Sequence, residues 1–205
     1  MTWVKICGIS DQVALEAALT AGADAVGFVF HRPSRRYLPP ERAAVLADQA
    51  AGRALRVGVV VDQGRKAVDD ILTTVALDAL QWAGGEIPKW AKELGQLQHI
   101  GVIRLQDHAS WPLRLPEAWA YLLDAWGPAG TFGGLGERAH WSPPPAEAKV
   151  NRLILAGGLG PRTVRAAIRR MKPFGVDVSS GVESDGVKDP AKIRSFVKAA
   201  KHDAH

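Results

Sequence analysis

Short apolar segments alternate with segments of helical periodicity along most of the chain. Segments Ala25–Phe30 and Arg56–Val61 are almost uninterrupted apolar runs, which is typical of strands buried on both faces. Weaker apolar runs bring the number of predicted strands to eight. The six additional strands are predicted at Trp3–Ile6, Ala79–Trp82, Ile100–Leu105, Tyr121–Asp124, Arg152–Ala156 and Gly175–Val178.

Helical patterns occupy the stretches between the strands. Ser10 is expected to cap the first helix, and Asp189 followed by Pro190 combines an N-cap residue with a proline at the first helical position. The clearest helices are predicted at Asp11–Ala21, Pro40–Ala50, Lys66–Thr74, Pro88–Leu94, Pro161–Met171 and Asp189–His202. Short fifth and sixth helices are expected around Trp111–Ala118 and Ala146–Val150, where nearby prolines restrict helix formation.

The alternation of buried strands with helices predicts an α/β protein with a parallel sheet. Eight such units favour a closed (β/α)8 TIM barrel. The chain has 205 residues, near the low end for this fold, so we expect one compact barrel domain spanning residues 1–205.

The composition is that of an ordinary globular protein, with 47% hydrophobic and 23% charged residues. No apolar run approaches the roughly 20 residues that span a bilayer, and the N-terminus lacks a secretory signal pattern. One cysteine rules out an internal disulfide and suits a reducing compartment. We therefore expect a cytoplasmic protein that does not interact with membranes.

The charge pattern favours a small anionic substrate over nucleic acid. The formal net charge is +5, but lysines and arginines are scattered and form no long tract. The six histidines show no spacing typical of a zinc site, so no metal site is predicted.

Candidate chemistry lies where the strands end, because a TIM barrel builds its active site from the loops that follow them. Cys7, the single cysteine, ends the first strand; it is either a reactive thiol or a small core residue. The basic loop His31–Tyr37 follows the second strand, and its guanidinium groups suit a carboxylate or phosphate as well as solvent. Asp124 ends the sixth strand as a candidate general acid or base, or as a helix cap.

Glycine-rich loops follow the last three strands. Residues Gly127–Gly136 could form a lid, a ligand-binding loop or a plain surface loop. Gly157-Gly158 follows the seventh strand and Ser179-Ser180-Gly181 the eighth, the two positions where barrels commonly bind phosphate. Their joint occurrence predicts a phosphate-binding site.

The chain resembles the phosphoribosylanthranilate isomerases of tryptophan biosynthesis. The similar segments run in order along nearly the whole chain: Lys5–Ile9, Gly22–Phe30, Ser34–Tyr37, Val57–Val60, Leu122–Asp124, Leu155–Leu159, Val176–Glu183 and Gly186–Pro190. The resemblance implies an Amadori rearrangement of N-(5'-phosphoribosyl)anthranilate to 1-(2-carboxyphenylamino)-1-deoxyribulose 5-phosphate.

The resemblance also assigns roles to individual residues. It implies Cys7 as general base, Asp124 as general acid and Arg36 as the partner of the anthranilate carboxylate. The phosphate loops are matched by Gly157, Gly158, Ser180 and Gly181, and the lid loop by Gly134 and Gly136. An acid and a base suffice for this reaction, so no cofactor or metal is implied. We expect burial to raise the pKa of Asp124, and a nearby cation such as Lys5 to help ionise the thiol.

Two departures from the family pattern keep alternatives open. The usual histidine after the fourth strand is replaced by Ala83, and the lid lacks its usual threonine at Leu135. One alternative is a barrel isomerase of the histidine pathway, although that mechanism uses two aspartates where this chain has Cys7 at the end of strand 1. The other is a barrel that binds a phosphorylated ligand without turnover. The chain is expected to be a monomer or a homodimer.

Overall fold

Eight parallel strands close into a barrel in the computed structural model, which describes residues 1–105, 115–125 and 150–201. Each strand pairs with the next along the chain, and β8 closes the sheet against β1. The strands are β1 Trp3–Cys7, β2 Ala25–Val29, β3 Leu55–Val60, β4 Ala79–Trp82, β5 Gln98–Leu105, β6 Ala120–Ala125, β7 Leu153–Ala156 and β8 Gly175–Val178. The predicted strands and the (β/α)8 barrel are thus confirmed, with strand ends differing by two residues at most.

The inward face of the barrel changes from apolar to polar along the strands. An apolar cluster fills the interior: Ala25, Val57, Ala79, Ile100, Ala120, Leu122, Ile154 and Ala156. Because side chains alternate between the two faces of a strand, Gln81 and Asp124 share this inward face with Ala79 and Leu122. Polar groups therefore point inward near the carboxyl ends of the strands.

Five α-helices lie among the described residues: α1 Gln12–Ala21, α2 Pro40–Ala50, α3 Arg65–Thr74, α4 Val164–Met171 and α5 Pro190–Lys201. Their buried faces join the outer core of the barrel; α5, for example, contributes Ile193 and Phe196. None of the helices in the described ranges is long and apolar enough to cross a membrane.

The helix caps agree with the sequence prediction at one helix and differ at another. Asp189 caps α5 as predicted, because its Oδ1 accepts hydrogen bonds from the backbone N–H of Ala191 at 2.8 Å and of Lys192 at 3.2 Å. The prediction that Ser10 caps the first helix is wrong. The cap is Asp11, whose carboxylate accepts from the Ala14 N–H at 2.8 Å.

Two predicted helices are shorter than their patterns indicated. The segment predicted at Pro88–Leu94 forms only a 3₁₀ helix, Lys89–Glu93, and Gly95 follows it with a left-handed φ of 70°. The helix predicted from Pro161 begins at Val164, because residues 161–163 form a turn closed by the Thr163 N–H on the Gly160 carbonyl.

The predictions for the fifth and sixth helices fall mostly outside the described residues. Residues 106–114 and 126–149 are not described, and residues 115–118 and 150 are not helical. The proposed lid glycines and the predicted end of the last helix, His202, also lie outside the described residues.

A small hairpin that the sequence analysis did not predict follows β8. A 3₁₀ turn, Ser180–Val182, leads into β9 Glu183–Ser184, which pairs antiparallel with β10 Val187–Lys188. The two connecting residues, Asp185 and Gly186, have φ angles of 51° and 81°, as expected for an Asp-Gly hairpin turn. The hairpin returns Lys188 to the side of Glu183, beside the mouth of the barrel.

Candidate active site

A cavity of about 170 Å³ opens at the carboxyl ends of the strands. It is lined by six of the predicted site residues: Arg36, Asp124, Gly157, Gly158, Ser180 and Gly181. Cys7 does not line the cavity; it is buried beside it, packed against Val29 and Val59 with Ala83 at the edge. Gly134 and Gly136 lie outside the described residues. The barrel therefore brings the predicted acid and both predicted anion-binding groups to one place, with the thiol behind them.

The thiol of Cys7 lies in a space that Gly27 on the adjacent strand keeps open. A Cβ atom at Gly27 would lie 2.9 Å from Cys7 Sγ and 3.2 Å from Lys5 Cε. Lys5 is fully buried and its Nζ donates to Asp177 Oδ1 at 2.8 Å. The thiol and the buried ion pair thus share one compartment below the cavity.

Burial sets the ionisation of the thiol. It raises the pKa of Cys7, whereas the Lys5 ammonium lowers that pKa and the Asp177 carboxylate raises it further. Burial would lower the pKa of Lys5, but its interactions with Asp177 and Cys7 together outweigh burial, and the pKa of Lys5 is raised. Lys5 therefore stays protonated and acts on the thiol in the predicted direction, but it does not overcome burial, so the resting Cys7 is a thiol.

Asp124 lies at the end of β6, opposite Arg104 of β5 in the strand register. Burial raises the pKa of Asp124, and the Arg104 guanidinium, with Nε 3.8 Å from Asp124 Oδ2, opposes that rise. The predicted rise in this pKa is confirmed. Arg104 Nη2 donates a 2.8 Å hydrogen bond to the backbone carbonyl of Ala83. Because this carbonyl belongs to the backbone, it is present even though Ala83 stands where the family usually has a histidine. Asp124 is thus biased towards the protonated form that a general acid needs.

Arg36 is fixed by Glu183, a carboxylate that the sequence analysis did not assign to the site. Arg36 Nε donates to Glu183 Oε1 at 2.6 Å and Nη2 donates to Oε2 at 2.9 Å. Arg35 and Lys188 also donate to Glu183, at 2.6 Å and 2.7 Å. Burial would raise the pKa of Glu183, but the hydrogen bonds and charges of Arg36 and Lys188 outweigh it and lower that pKa. Three cations surrounding one carboxylate leave an excess of positive charge beside the cavity, which suits an anionic ligand.

The two glycine loops meet by close backbone packing. Gly157 and Gly158 have left-handed φ angles of 78° and 65°. A Cβ atom at Gly181 would lie 1.8 Å from the Leu159 carbonyl oxygen, so only glycine fits there. Such loops expose backbone N–H groups to an anion, as at the phosphate sites of other barrels.

The structure adds Gln81, Arg104 and Asp177 to the predicted lining of the cavity. All three lie on the inward faces of their strands, so the signal that could have found them is the two-residue alternation that also marks Cys7 and Asp124. Among the residues that the structure describes, no group of three or more His, Cys, Asp and Glu side chains could hold a metal ion.

The fold and this cavity define a TIM-barrel enzyme in which a carboxyl group, an arginine and two glycine loops meet at the mouth of the barrel, beside a buried thiol. Residues 4–199 match the family model described as N-(5'phosphoribosyl)anthranilate (PRA) isomerase. The chain belongs to this family of aldose–ketose isomerases of tryptophan biosynthesis.

Individual relatives agree over the full length of the chain. The N-(5'-phosphoribosyl)anthranilate isomerase of Desulforudis audaxviator is 40% identical, with 98% of each chain covered. The crystal structure of the phosphoribosyl anthranilate isomerase from Thermotoga maritima superposes with a TM-score of 0.83 at 34% identity, covering 98% of this chain and 99% of that one. A second isomerase structure, in complex with reduced 1-(o-carboxyphenylamino)-1-deoxyribulose 5-phosphate, gives a TM-score of 0.76 at 32% identity over 98% and 99% of the two chains. The resemblance drawn from the sequence is thereby confirmed.

Proposed function

We propose that the chain carries out the rearrangement of its family with Asp124 as general acid and Cys7 as general base. The observation that carries this proposal is the position of Asp124, a carboxyl with a raised pKa, in one cavity with Arg36 and the two glycine loops. The substrate would be N-(5'-phosphoribosyl)anthranilate, a small phosphosugar with a carboxylate at one end and a phosphate at the other.

The first step is opening of the ribose ring. Protonated Asp124 gives its proton to the ring oxygen, and the bond between that oxygen and C1' breaks with its electron pair going to oxygen. The nitrogen lone pair forms the C=N bond of an iminium ion. An ordinary aspartic acid, with a pKa of about 3.9, would rarely hold this proton at neutral pH, so the raised pKa supports this role.

The second step removes the proton from C2'. The Cys7 thiolate takes that proton, and the C–H electron pair forms the C1'–C2' double bond while the iminium nitrogen recovers its lone pair. The resulting enolamine becomes the ketone product by moving the enol proton to C1'. Burial disfavours the thiolate, whereas the neighbouring Lys5 and the positive charge of the iminium ion formed in the first step both favour it.

Arg36 would bind the anthranilate carboxylate, and Gly157, Gly158, Ser180 and Gly181 would bind the phosphate. The excess positive charge around Glu183 and the glycine backbone N–H groups support these assignments. Gly134 and Gly136 remain predictions for the lid.

A turnover assay tests the proposal. Freshly made phosphoribosylanthranilate is mixed with the chain without added metal, and the loss of its fluorescence is followed. We expect a protein-dependent decay, and we expect Cys7→Ser and Asp124→Asn each to lower kcat by about 10²–10⁴-fold while largely sparing product binding. Asp70→Asn, on the exposed face of α3, is the matched control and should be unaffected. Activity that survives both site substitutions within about tenfold would refute the assignment.

We further propose a cytoplasmic location and a monomeric or homodimeric chain. The single free thiol, buried rather than paired, supports a reducing compartment. Cell fractionation tests the location, and light scattering of the purified chain tests the oligomeric state; a membrane fraction or a higher oligomer would contradict them.

A further inference from the structure

Gln81 is a buried polar side chain in the wall of the active-site cavity with no role in the reaction described so far. It lies on β4, on the same inward face as Ala79. Only 6% of the residue is exposed, and it borders the cavity together with Ala83 and Arg104. Its surroundings are therefore those of the active site and not of the outer core.

The side-chain oxygen of Gln81 is left without a donor. Oε1 is buried and accepts no hydrogen bond from any residue within the described ranges. A buried amide oxygen without a partner destabilises a folded chain, and such a group in a folded protein requires an explanation. A methionine of similar size would fill the same space without that cost, so packing alone does not account for Gln81.

Several groups in the described lining of the cavity can only donate hydrogen bonds. Arg36 and Arg104 can only donate, and the glycine loops present backbone N–H groups. Two carboxylates are among the described lining residues; Asp177 accepts from Lys5 through Oδ1, and Asp124 is assigned to proton transfer. A ribosylamine brings its own donors, the anilino N–H and the ribosyl hydroxyls, and these need acceptors once water is displaced. Among the described lining residues, the Gln81 amide oxygen is a neutral, buried acceptor that has no partner.

We propose that Gln81 is a substrate-binding residue whose side-chain oxygen accepts a hydrogen bond from the aminosugar, from either the anilino N–H or the 2'-hydroxyl. The proposal rests on the proposed function, since it takes its ligand from that reaction. In the free chain Gln81 lowers stability, and in the complex the ligand donor satisfies it.

The test compares Gln81→Met with Gln98→Met. Gln98, the first residue of β5, is a matched control because its Oε1 is also buried without a partner among the described residues, yet it lies outside the active-site cavity. We expect Gln81→Met to lower kcat/KM roughly 10- to 100-fold, because a donor of the substrate then stays unpaired in a buried site. Its melting temperature should equal or exceed that of the wild type. Gln98→Met should leave kcat/KM unchanged.

Inhibition by two ligands then distinguishes the two donors. The ketone product keeps the anilino N–H but has a carbonyl in place of the 2'-hydroxyl, whereas the reduced product has both groups. If Gln81 binds the N–H, Gln81→Met weakens inhibition by both ligands equally. If it binds the 2'-hydroxyl, inhibition by the reduced product weakens and inhibition by the ketone is spared. Either pattern supports the proposal.

The proposal is wrong if Gln81→Met keeps the wild-type kcat/KM and binds both inhibitors as tightly. Should Gln81→Met fold poorly, Gln81→Leu is measured instead, and a folded Gln81→Leu with wild-type kcat/KM refutes the proposal as well. A lower melting temperature with kcat/KM per folded molecule unchanged means that the side chain is structural. Absence of turnover in the wild-type chain would instead refute the proposed function, so the two failures are distinguishable.

Discussion

Glu183 binds Arg36 by accepting two parallel hydrogen bonds, from Arg36 Nε to Oε1 at 2.6 Å and from Arg36 Nη2 to Oε2 at 2.9 Å. The Glu183 side chain is only 4% exposed, so the pair is shielded from solvent. One edge of the guanidinium is therefore occupied by the protein, and a ligand anion must approach from the Nη1 side. This fixed orientation is the geometric basis for expecting Arg36, and not its neighbour Arg35, to recognise a carboxylate.

Replacing Arg36 by lysine should remove that orientation while keeping the charge, because an ammonium group cannot form the two-pronged contact. We expect Arg36→Lys to raise KM about tenfold or more with little change in kcat, as for a contact made equally in the ground and transition states. Arg35→Lys is the matched control: Arg35 also donates to Glu183, but its side chain is 58% exposed and does not line the cavity. Steady-state kinetics on both variants checks this, and equal effects would argue against a specific role for Arg36.

Gly181 should not tolerate alanine. The added Cβ would lie 1.8 Å from the Leu159 carbonyl oxygen, so one of the two loops proposed to bind phosphate must move. We expect Gly181→Ala to lower kcat/KM by at least about tenfold, because a shift of the order of 1 Å in a binding group is costly. Gly160→Ala is the control, since its Cβ would meet only the Gly181 carbonyl at an ordinary 3.6 Å. If both variants bind inorganic phosphate and turn over substrate equally, the close packing of the loops is irrelevant to binding.

The barrel itself could be predicted from the sequence because its signal is local. Strands buried on both faces read as apolar runs such as Ala25–Phe30, and helices repeat between them. The placement of Cys7 and Asp124 near each other could also be predicted, because a parallel barrel brings the carboxyl ends of all its strands to the same mouth. The error at the first helix was also local: serine and aspartate both cap helices well, so Ser10 was predicted where the backbone geometry selects Asp11.

The contacts that tune the site could not be predicted in this way, because they join distant parts of the chain. Glu183 is 147 residues from Arg36, and Asp177 is 172 residues from Lys5. Both pairs form only when β8 closes against β1. Alternation along β1 does place Lys5 on the same face of the strand as Cys7. The partner of Lys5, however, depends on the register in which β8 pairs with β1.

Stability should suffer when one member of the buried Lys5–Asp177 pair is removed alone, but much less when both are replaced. Lys5→Met leaves Asp177 buried without its counter-charge, and breaking such a pair costs about 3–5 kcal/mol. The double variant Lys5→Met/Asp177→Leu should recover much of this loss, because no unpaired charge then remains. Urea unfolding of the three proteins measures it, with Lys66→Met in the exposed Lys66–Asp70 pair as a control that should change little. A double variant as unstable as Lys5→Met would show that the loss comes from packing.

The pH dependence of kcat/KM follows from the two raised pKa values at the site. A general acid must be protonated and a general base must be ionised, yet burial raises the pKa of both Asp124 and Cys7 above their ordinary values. The thiol pKa then lies far above the carboxyl pKa, so only a small fraction of molecules has both groups in the active form. That fraction is constant between the two pKa values, falls below the pKa of Asp124 as the thiolate is lost, and falls above the pKa of Cys7 as the acid is lost. We therefore expect a bell-shaped profile whose alkaline limb lies above the range of an ordinary thiol, about 8.5.

In Asp124→Asn the weak residual activity should instead rise with pH up to the pKa of Cys7 and then level off, because only the base still titrates. Residual activity in Asp124→Asn that falls at high pH as in the wild type would mean that another group is the acid.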